Sequence, residues 1–207
     1  MRIGLMHGEG GPESVNSFVE RVVQEEKDGF DTAWFGQIFL ADSLTMIALA
    51  GRVTSRIEFG SAVIPTYTRH PLAMAQQAAT VQEATGGRFT LGIGPSHQIV
   101  VENMWGMSYD KPAKHVREYL SVLLPLVREG KVSFNGDLYK VNARIDLVNL
   151  RVRIIGKTPP LALRRVPKAT GKPASKGTRN MWYGGKRHLA RLYERSQLSA
   201  GHHVEGP

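Results

Sequence analysis

Short apolar runs alternate with longer apolar stripes through the first 147 residues of the chain. Residues 2–6, led by Ile3 and Leu5, fit a buried strand. Val15, Phe18, Val19, Val22 and Val23 then recur at helical spacing, with Gly29 as the stop. Residues 32–35 read as a second strand, and Asp42 caps a helix through Leu44, Ile47 and Ala48 that ends at Gly51. A third strand is expected from Ile57 to Ile64. Pro71 suits the first turn of a helix closed by Gly86 and Gly87, and a fourth strand follows from Phe89 to Ile93. Pro112 opens a long helix with Val116, Tyr119, Leu120, Leu123, Leu124 and Val127 on one side, which Pro125 is expected to bend or shorten. Residues 132–141 predict a small hairpin turning at Asn135-Gly136, an excursion that reads as an insertion on the core scaffold.

Strands alternating with helices at this spacing predict βαβ units and a parallel sheet. An open dinucleotide-type sheet and a closed (β/α)8 barrel both fit. The first strand-to-helix loop, HGEGGPES, lacks the G-x-G-x-x-G spacing, which lowers the dinucleotide reading. After Leu147 the pattern weakens. Pro160–Leu163 and Asn180–Tyr183 suggest two further strands, and residues 189–198 a helix. The stretch between those strands, RRVPKATGKPASKGTR, has no apolar face and two prolines, so it makes a poor helix.

Composition adds bounds. A chain of 207 residues with 42% hydrophobic and 22% charged residues has an ordinary globular balance. It has no cysteine, which excludes a disulfide framework, a thiol nucleophile and a Cys-based zinc site. No run approaches the ~18 apolar residues of a membrane span, and the N-terminal residues lack the apolar core of a signal peptide, so a cytoplasmic protein is expected. The net charge of +9 is unevenly placed: thirteen lysines and arginines face two acidic residues from Val148 onward, leaving the first 147 residues slightly acidic. Residues 148–207 are thus a divergent basic segment. Polyanion binding is one function open to it, while the N-terminal part gives no basis for nucleic-acid recognition.

Candidate chemistry gathers where parallel strands end, since ligands sit there. Gly94-Pro95-Ser96-His97 follows the fourth strand; its glycine permits close backbone approach, and its amides and the Ser96 hydroxyl suit a phosphate or heterocycle edge. A plain turn is the alternative. Arg69 and His70 precede a helix N-terminus, which favours an anion, against helix capping with a solvated arginine. His7, just past strand one, is expected at the barrel mouth as a structural or substrate-pocket residue rather than a proton shuttle. Gln37 follows strand two and exchanges hydrogen bonds without acting as an acid or base. Trp34 and Trp105 read as packing residues. G-x-x-x-x-G-K-[ST], H-E-x-x-H and G-x-S-x-G are absent, and His202-His203 lacks nearby further ligands, so no metal site is expected.

Four segments, DTAWFGQIF, LTMIALAGRV, GSAVIPTYTRHPLAMAQQAATVQEATGGRFTLGIGPSH and MWGMSYDKPAKHVREYL, resemble the luciferase-like monooxygenase superfamily, in its branch of deazaflavin (coenzyme F420)-dependent oxidoreductases. The resemblance runs from Met1 to about Ala143. It implies a TIM-type (β/α)8 barrel with an insertion, binding F420 or, alternatively, FMN at the strand C-termini. It further implies hydride transfer between that cofactor and a small organic substrate, with the cofactor supplying the chemistry. In relatives a non-prolyl cis peptide bulges from strand three against the ring; the matching bond is Ala62-Val63. The strand-four loop, here Gly94, Pro95, Ser96 and His97, approaches the cofactor. Some relatives place an acidic residue and a histidine after strand two; with Gln37 and Ile38 there, a proton-transfer role does not carry over, although the Gln37 amide remains able to orient the ring. No catalytic residue is assigned. Relatives run to roughly 280–300 residues, within the range of such barrels. The last third of this chain departs from their pattern, and strands seven and eight have no counterpart. An incomplete barrel is therefore expected, from a truncated or frame-disturbed gene, and a homodimer would cover one of its open edges. Reading the other frames across the codons for residues 160–180 tests this, since a frame-disturbed gene restores a family-like helix in another frame. A non-catalytic relative that binds a partner subunit is the second reading.

Overall fold

The computed structural model describes residues 3–7, 13–37, 39, 41–146 and 152–156. The chain divides into two units, residues 1–162 and 163–207, and every described residue belongs to the first. The strands expected at Pro160–Leu163 and Asn180–Tyr183, and the helix at residues 189–198, lie outside the described residues.

Strand and helix alternate as the apolar pattern predicts: β1 (Gly4–His7), α1 (Val15–Lys27), β2 (Thr32–Phe35), α2 (Ser43–Val53), β3 (Glu58–Ser61), β4 (Ile64–Pro65), α3 (Pro71–Ala84) and β5 (Phe89–Gly94). A single π-helical turn (Val100–Met104) follows, then α4 (Pro112–Glu129), a hairpin of β6 (Lys131–Asn135) and β7 (Lys140–Arg144), and β8 (Arg153–Gly156). Caps fix the helix starts. Ser14 accepts from the Ser17 N–H, Asp42 from the Thr45 N–H, and His70 through Nδ1 from the Leu72 N–H, with Pro71 in the first turn behind it.

β1, β2, the β3–β4 pair, β5 and β8 lie side by side and all parallel, in chain order. A doubly wound sheet reverses its strand order at a switch point; the described strands do not, which is barrel topology. Side chains alternate across the sheet. Ala33, Phe35, Phe59, Phe89, Leu91 and Ile93 are buried in the main core together with Phe18 and Val22 of α1, Ile47 of α2, Met74 and Ala78 of α3, and Leu123 and Leu126 of α4. The opposite face carries Trp34, Gly60, Gly92 and Gly94, and the Trp34 ring lies so close over Gly60 that a β-carbon there would sit 2.2 Å from it.

Four expectations change. Strand three is interrupted: the register with β5 runs Phe59↔Phe89 and then Ile64↔Ile93, so one extra residue is accommodated between Ser61 and Val63 as a bulge. Pro125 does not shorten α4, which runs on to Gly130 in the left-handed conformation at its end. The hairpin does not turn on Asn135-Gly136. Asn135 pairs with Lys140, and a four-residue loop, closed by the Gly136 N–H on the Tyr139 carbonyl, joins the strands. Its N–H groups are taken up by Glu118 of α4: Oε2 accepts from Leu138 at 2.8 Å and Tyr139 at 3.2 Å. Finally, β8 pairs with β5 from Thr90↔Arg153 to Ile93↔Gly156, a strand the fading apolar pattern did not reveal.

Candidate functional site

Parallel strands end together, so His7, Phe35, Pro65, Gly94 and Gly156 mark one rim of the sheet. The bulge sits at that rim. The Ala62–Val63 peptide is cis, the bond singled out in the sequence. Backbone and side-chain hydrogen bonds hold the irregular segment on both sides. The Ala62 N–H donates to the Phe35 carbonyl at 2.7 Å, and the Thr66 N–H to the Gly94 carbonyl at 2.9 Å. Between them the Ser61 hydroxyl replaces the interrupted ladder: it accepts from the Gly92 N–H at 2.8 Å and donates to the Gly92 carbonyl at 3.0 Å. Gly92 has to lack a side chain, because a β-carbon would lie 2.0 Å from the Ser61 carbonyl oxygen. A β-carbon on Gly94 would lie 2.9 Å from Val63 Cγ2. Ala62, Val63, Pro95 and Ser96 are half-buried and His97 is exposed. The result is a shelf of backbone and short side chains at the rim.

Ser96 adopts φ 66°, a left-handed conformation uncommon outside glycine. Its carbonyl accepts a hydrogen bond from the Tyr109 hydroxyl at 3.1 Å. Gln37, expected to orient a ligand, spends its carbonyl oxygen on the Ser43 N–H at 2.8 Å, so the group it keeps for a ligand is the amide donor. His7 does not join the shelf. Its ring stacks on Phe35 at 4.6 Å, and both nitrogens turn to α1: Arg21 donates to Nδ1 at 2.7 Å, and Nε2 lies 3.1 Å from Glu25 Oε2. Since a guanidinium only donates, the imidazole is neutral with its proton on Nε2. Burial holds its pKa below the usual histidine value, the Arg21 charge adds to this, and Glu25 opposes it.

Arg69 and His70 form no anion site. His70 caps α3, and the Arg69 guanidinium is committed to Asp42, with Gln77 at 3.1 Å, tying the starts of α2 and α3 together. The capping alternative holds, with a paired rather than solvated arginine.

Beside the shelf lies a cluster the linear sequence did not bring together. Tyr67 stacks on His115 of α4 at 3.9 Å and on Tyr109 at 5.5 Å; His115 Nε2 lies 3.0 Å from the Thr66 hydroxyl. Tyr139 of the hairpin packs against His115, Tyr119 and His70. Burial lowers the His115 pKa, with Glu118 opposing, and pushes Tyr139 up to about 12. The signal was present as the run of polar and aromatic residues in TYTRH, but only α4, arriving 49 positions later, supplies the histidine. Among the described residues no group of three or more acidic residues and histidines is placed to hold a metal, and no helix is long and apolar enough to cross a membrane.

Sequential parallel strands, with a bulged third strand and a glycine-led loop at the C-terminal rim, define a barrel-type α/β protein. The chain belongs to the luciferase-like monooxygenase family, whose model matches residues 1–162. It is similar to a putative coenzyme F420-dependent oxidoreductase of Mycobacterium tuberculosis, 34% identical over 142 residues, 68% of this chain and 41% of that protein. Its fold is similar to that of the coenzyme F420-dependent tetrahydromethanopterin reductase from Methanopyrus kandleri, with a TM-score of 0.63 and 22% identity over 74% of this chain and 48% of the other. It is also similar to the FMN-complexed oxygenating constituent of 3,6-diketocamphane monooxygenase from Pseudomonas putida, with a TM-score of 0.61 and 20% identity over 69% of this chain and 43% of the other. The chain spans less than half the length of each of these proteins.

Proposed function

We propose that this chain carries the ring-binding part of an oxidoreductase that moves a hydride between F420, or alternatively reduced flavin, and a small organic substrate. The observation that carries the reading is the shelf: a bulged β3–β4 segment against side-chain-free Gly92 and Gly94, ending in the Ser96 loop. A flat tricyclic ring fits there, because the shelf offers backbone, short side chains, the Ser96 hydroxyl and the Gln37 amide donor. Ala62, Val63 and Gly94 to His97 would hold the ring face and edge, and Gln37 would orient it. When bound, the cofactor supplies the two-electron donor or acceptor; the residues named here bind it, orient it and keep its face against the sheet rim. F420 is favoured over FMN by the name of the 34% identical relative. The substrate is proposed only as a small organic molecule, and the setting as cytoplasmic.

The test is a thermal melt of the purified chain alone, with F420 and with FMN, paired with a direct binding titration. A ligand that binds only the folded state at about 100 times its Kd raises stability by about 2.7 kcal/mol. A raised melting temperature with F420 is the expected result. A cooperative melt unmoved by either cofactor would reject the proposal.

A further inference from the structure

The loop that ends β5 is held from outside. A left-handed backbone costs an ordinary L residue roughly 1–2 kcal/mol and persists where its surroundings impose it. Ser96 is in that conformation, and the Tyr109 hydroxyl grips its carbonyl. Tyr109 is itself positioned: its ring stacks on Tyr67, and Tyr67 stacks on His115 of α4 at an interplanar angle of 10°. The irregular segment bearing Tyr109 is tied back by the Met107 N–H on the Val101 carbonyl. A continuous set of contacts therefore runs from α4 to the shelf.

We infer that Tyr109 is a positioning residue, whose hydroxyl keeps Ser96 left-handed and so sets the loop in the shape that meets the cofactor ring. This rests on the ring-binding function proposed above. Tyr109 acts through the loop, by its hydrogen bond to the Ser96 carbonyl.

The experiment is a double-variant cycle on the full chain, using Tyr109→Phe, Ser96→Gly and the two together. Tyr109→Phe keeps the ring and removes only the hydroxyl. Ser96→Gly removes the penalty for a positive φ. Two readouts are taken: hydrogen exchange of the Ser96 and His97 amides in the free protein, and the Kd and bound-state absorption spectrum with F420 and FMN. Tyr109→Phe is expected to speed exchange of these amides and to weaken cofactor binding about fivefold, the usual worth of one neutral hydrogen bond. In the Ser96→Gly background the same substitution should change the exchange rates and the Kd less than twofold and leave the bound spectrum unchanged. Unchanged exchange in Tyr109→Phe, or equal losses in both backgrounds, overturns the inference. Loosened exchange with no cofactor binding by the wild type upholds the positioning role and rejects the ring-binding function instead.

Discussion

Ser61 and Gly92 bend a buried parallel strand without orphaning its polar groups. A buried backbone donor left unpaired costs about 1–3 kcal/mol, and here a hydroxyl takes over the work of a missing peptide neighbour. The arrangement tolerates no β-carbon at Gly92. Gly92→Ala is expected to destabilise the protein by about 3 kcal/mol, at the upper end of overpacking costs; urea unfolding measures it, and a loss under 0.5 kcal/mol would contradict the close approach. Tyr119 gives the opposite expectation. Its ring is fully buried, its hydroxyl has no hydrogen-bond partner among the described residues, and burial drives its pKa upward. Tyr119→Phe removes a desolvated hydroxyl while keeping the ring, so stability should hold or rise, by up to about 1 kcal/mol, in the same unfolding experiment.

The hairpin depends on one carboxylate. Glu118 is buried and serves the loop N–H groups of Leu138 and Tyr139, with Lys114 beside it. Burial by itself would raise its pKa, but the N–H donors and Lys114 outweigh this and hold it below the ordinary carboxylate value. A depressed carboxylate gives stability that is complete above its unfolded pKa and is lost as pH falls through the folded value. Glu118→Gln should therefore lower the melting temperature at pH 7 and flatten its fall below pH 4.5. Parallel melting curves for both proteins would contradict the clamp. The elements also show what a sequence discloses. The β1 to α4 order was legible because signals such as the Asp42 cap and the first-turn Pro71 bound each apolar period. The hairpin was legible, but its turn was not: Asn135-Gly136 carries a local tight-turn signal, while Glu118, 17 positions earlier, decides the loop. β8 escaped because it is short and mixed: Ile154 packs on the core while Arg153 and Ile155 are exposed.

At the scale of the molecule, the rim was readable where a single loop carried it, as at Gly94–His97. It was unreadable where distant segments meet, as at Tyr67, Tyr109 and His115. The bulge was legible only through the family resemblance, since a residue count in a strand contains no sign of its register. Histidine sets a whole-molecule response to acid. His7 is half-buried and His115 is buried, and both are kept neutral, with pKa values lowered chiefly by burial. An unfolded chain takes up those protons near pH 6.5 and the folded chain only at lower pH, so stability should fall as pH drops from 7 to 5. His115→Asn should shrink that dependence in melts across this range, and an unchanged slope would mean that His115 is not a contributor.

The far end of the strands holds a different kind of assembly. Arg88 reaches the carbonyls of Ile57 at 2.6 Å and of Gly51 and Thr54, both at 2.9 Å, while Glu26 gathers the N–H groups of Ser55, Arg56 and Ile57. These two side chains knot α1, α2 and the starts of β3 and β5 together, opposite the shelf. The proposed ring site and the fastening thus occupy opposite poles of the same strands. Substitutions far enough apart to share no partner add independently. A mutational library confined to positions 37, 62–63 and 94–97 can accordingly be explored for new ring or substrate preferences while the fastening pole remains untouched, which makes the rim the natural place for selection to rewrite this protein.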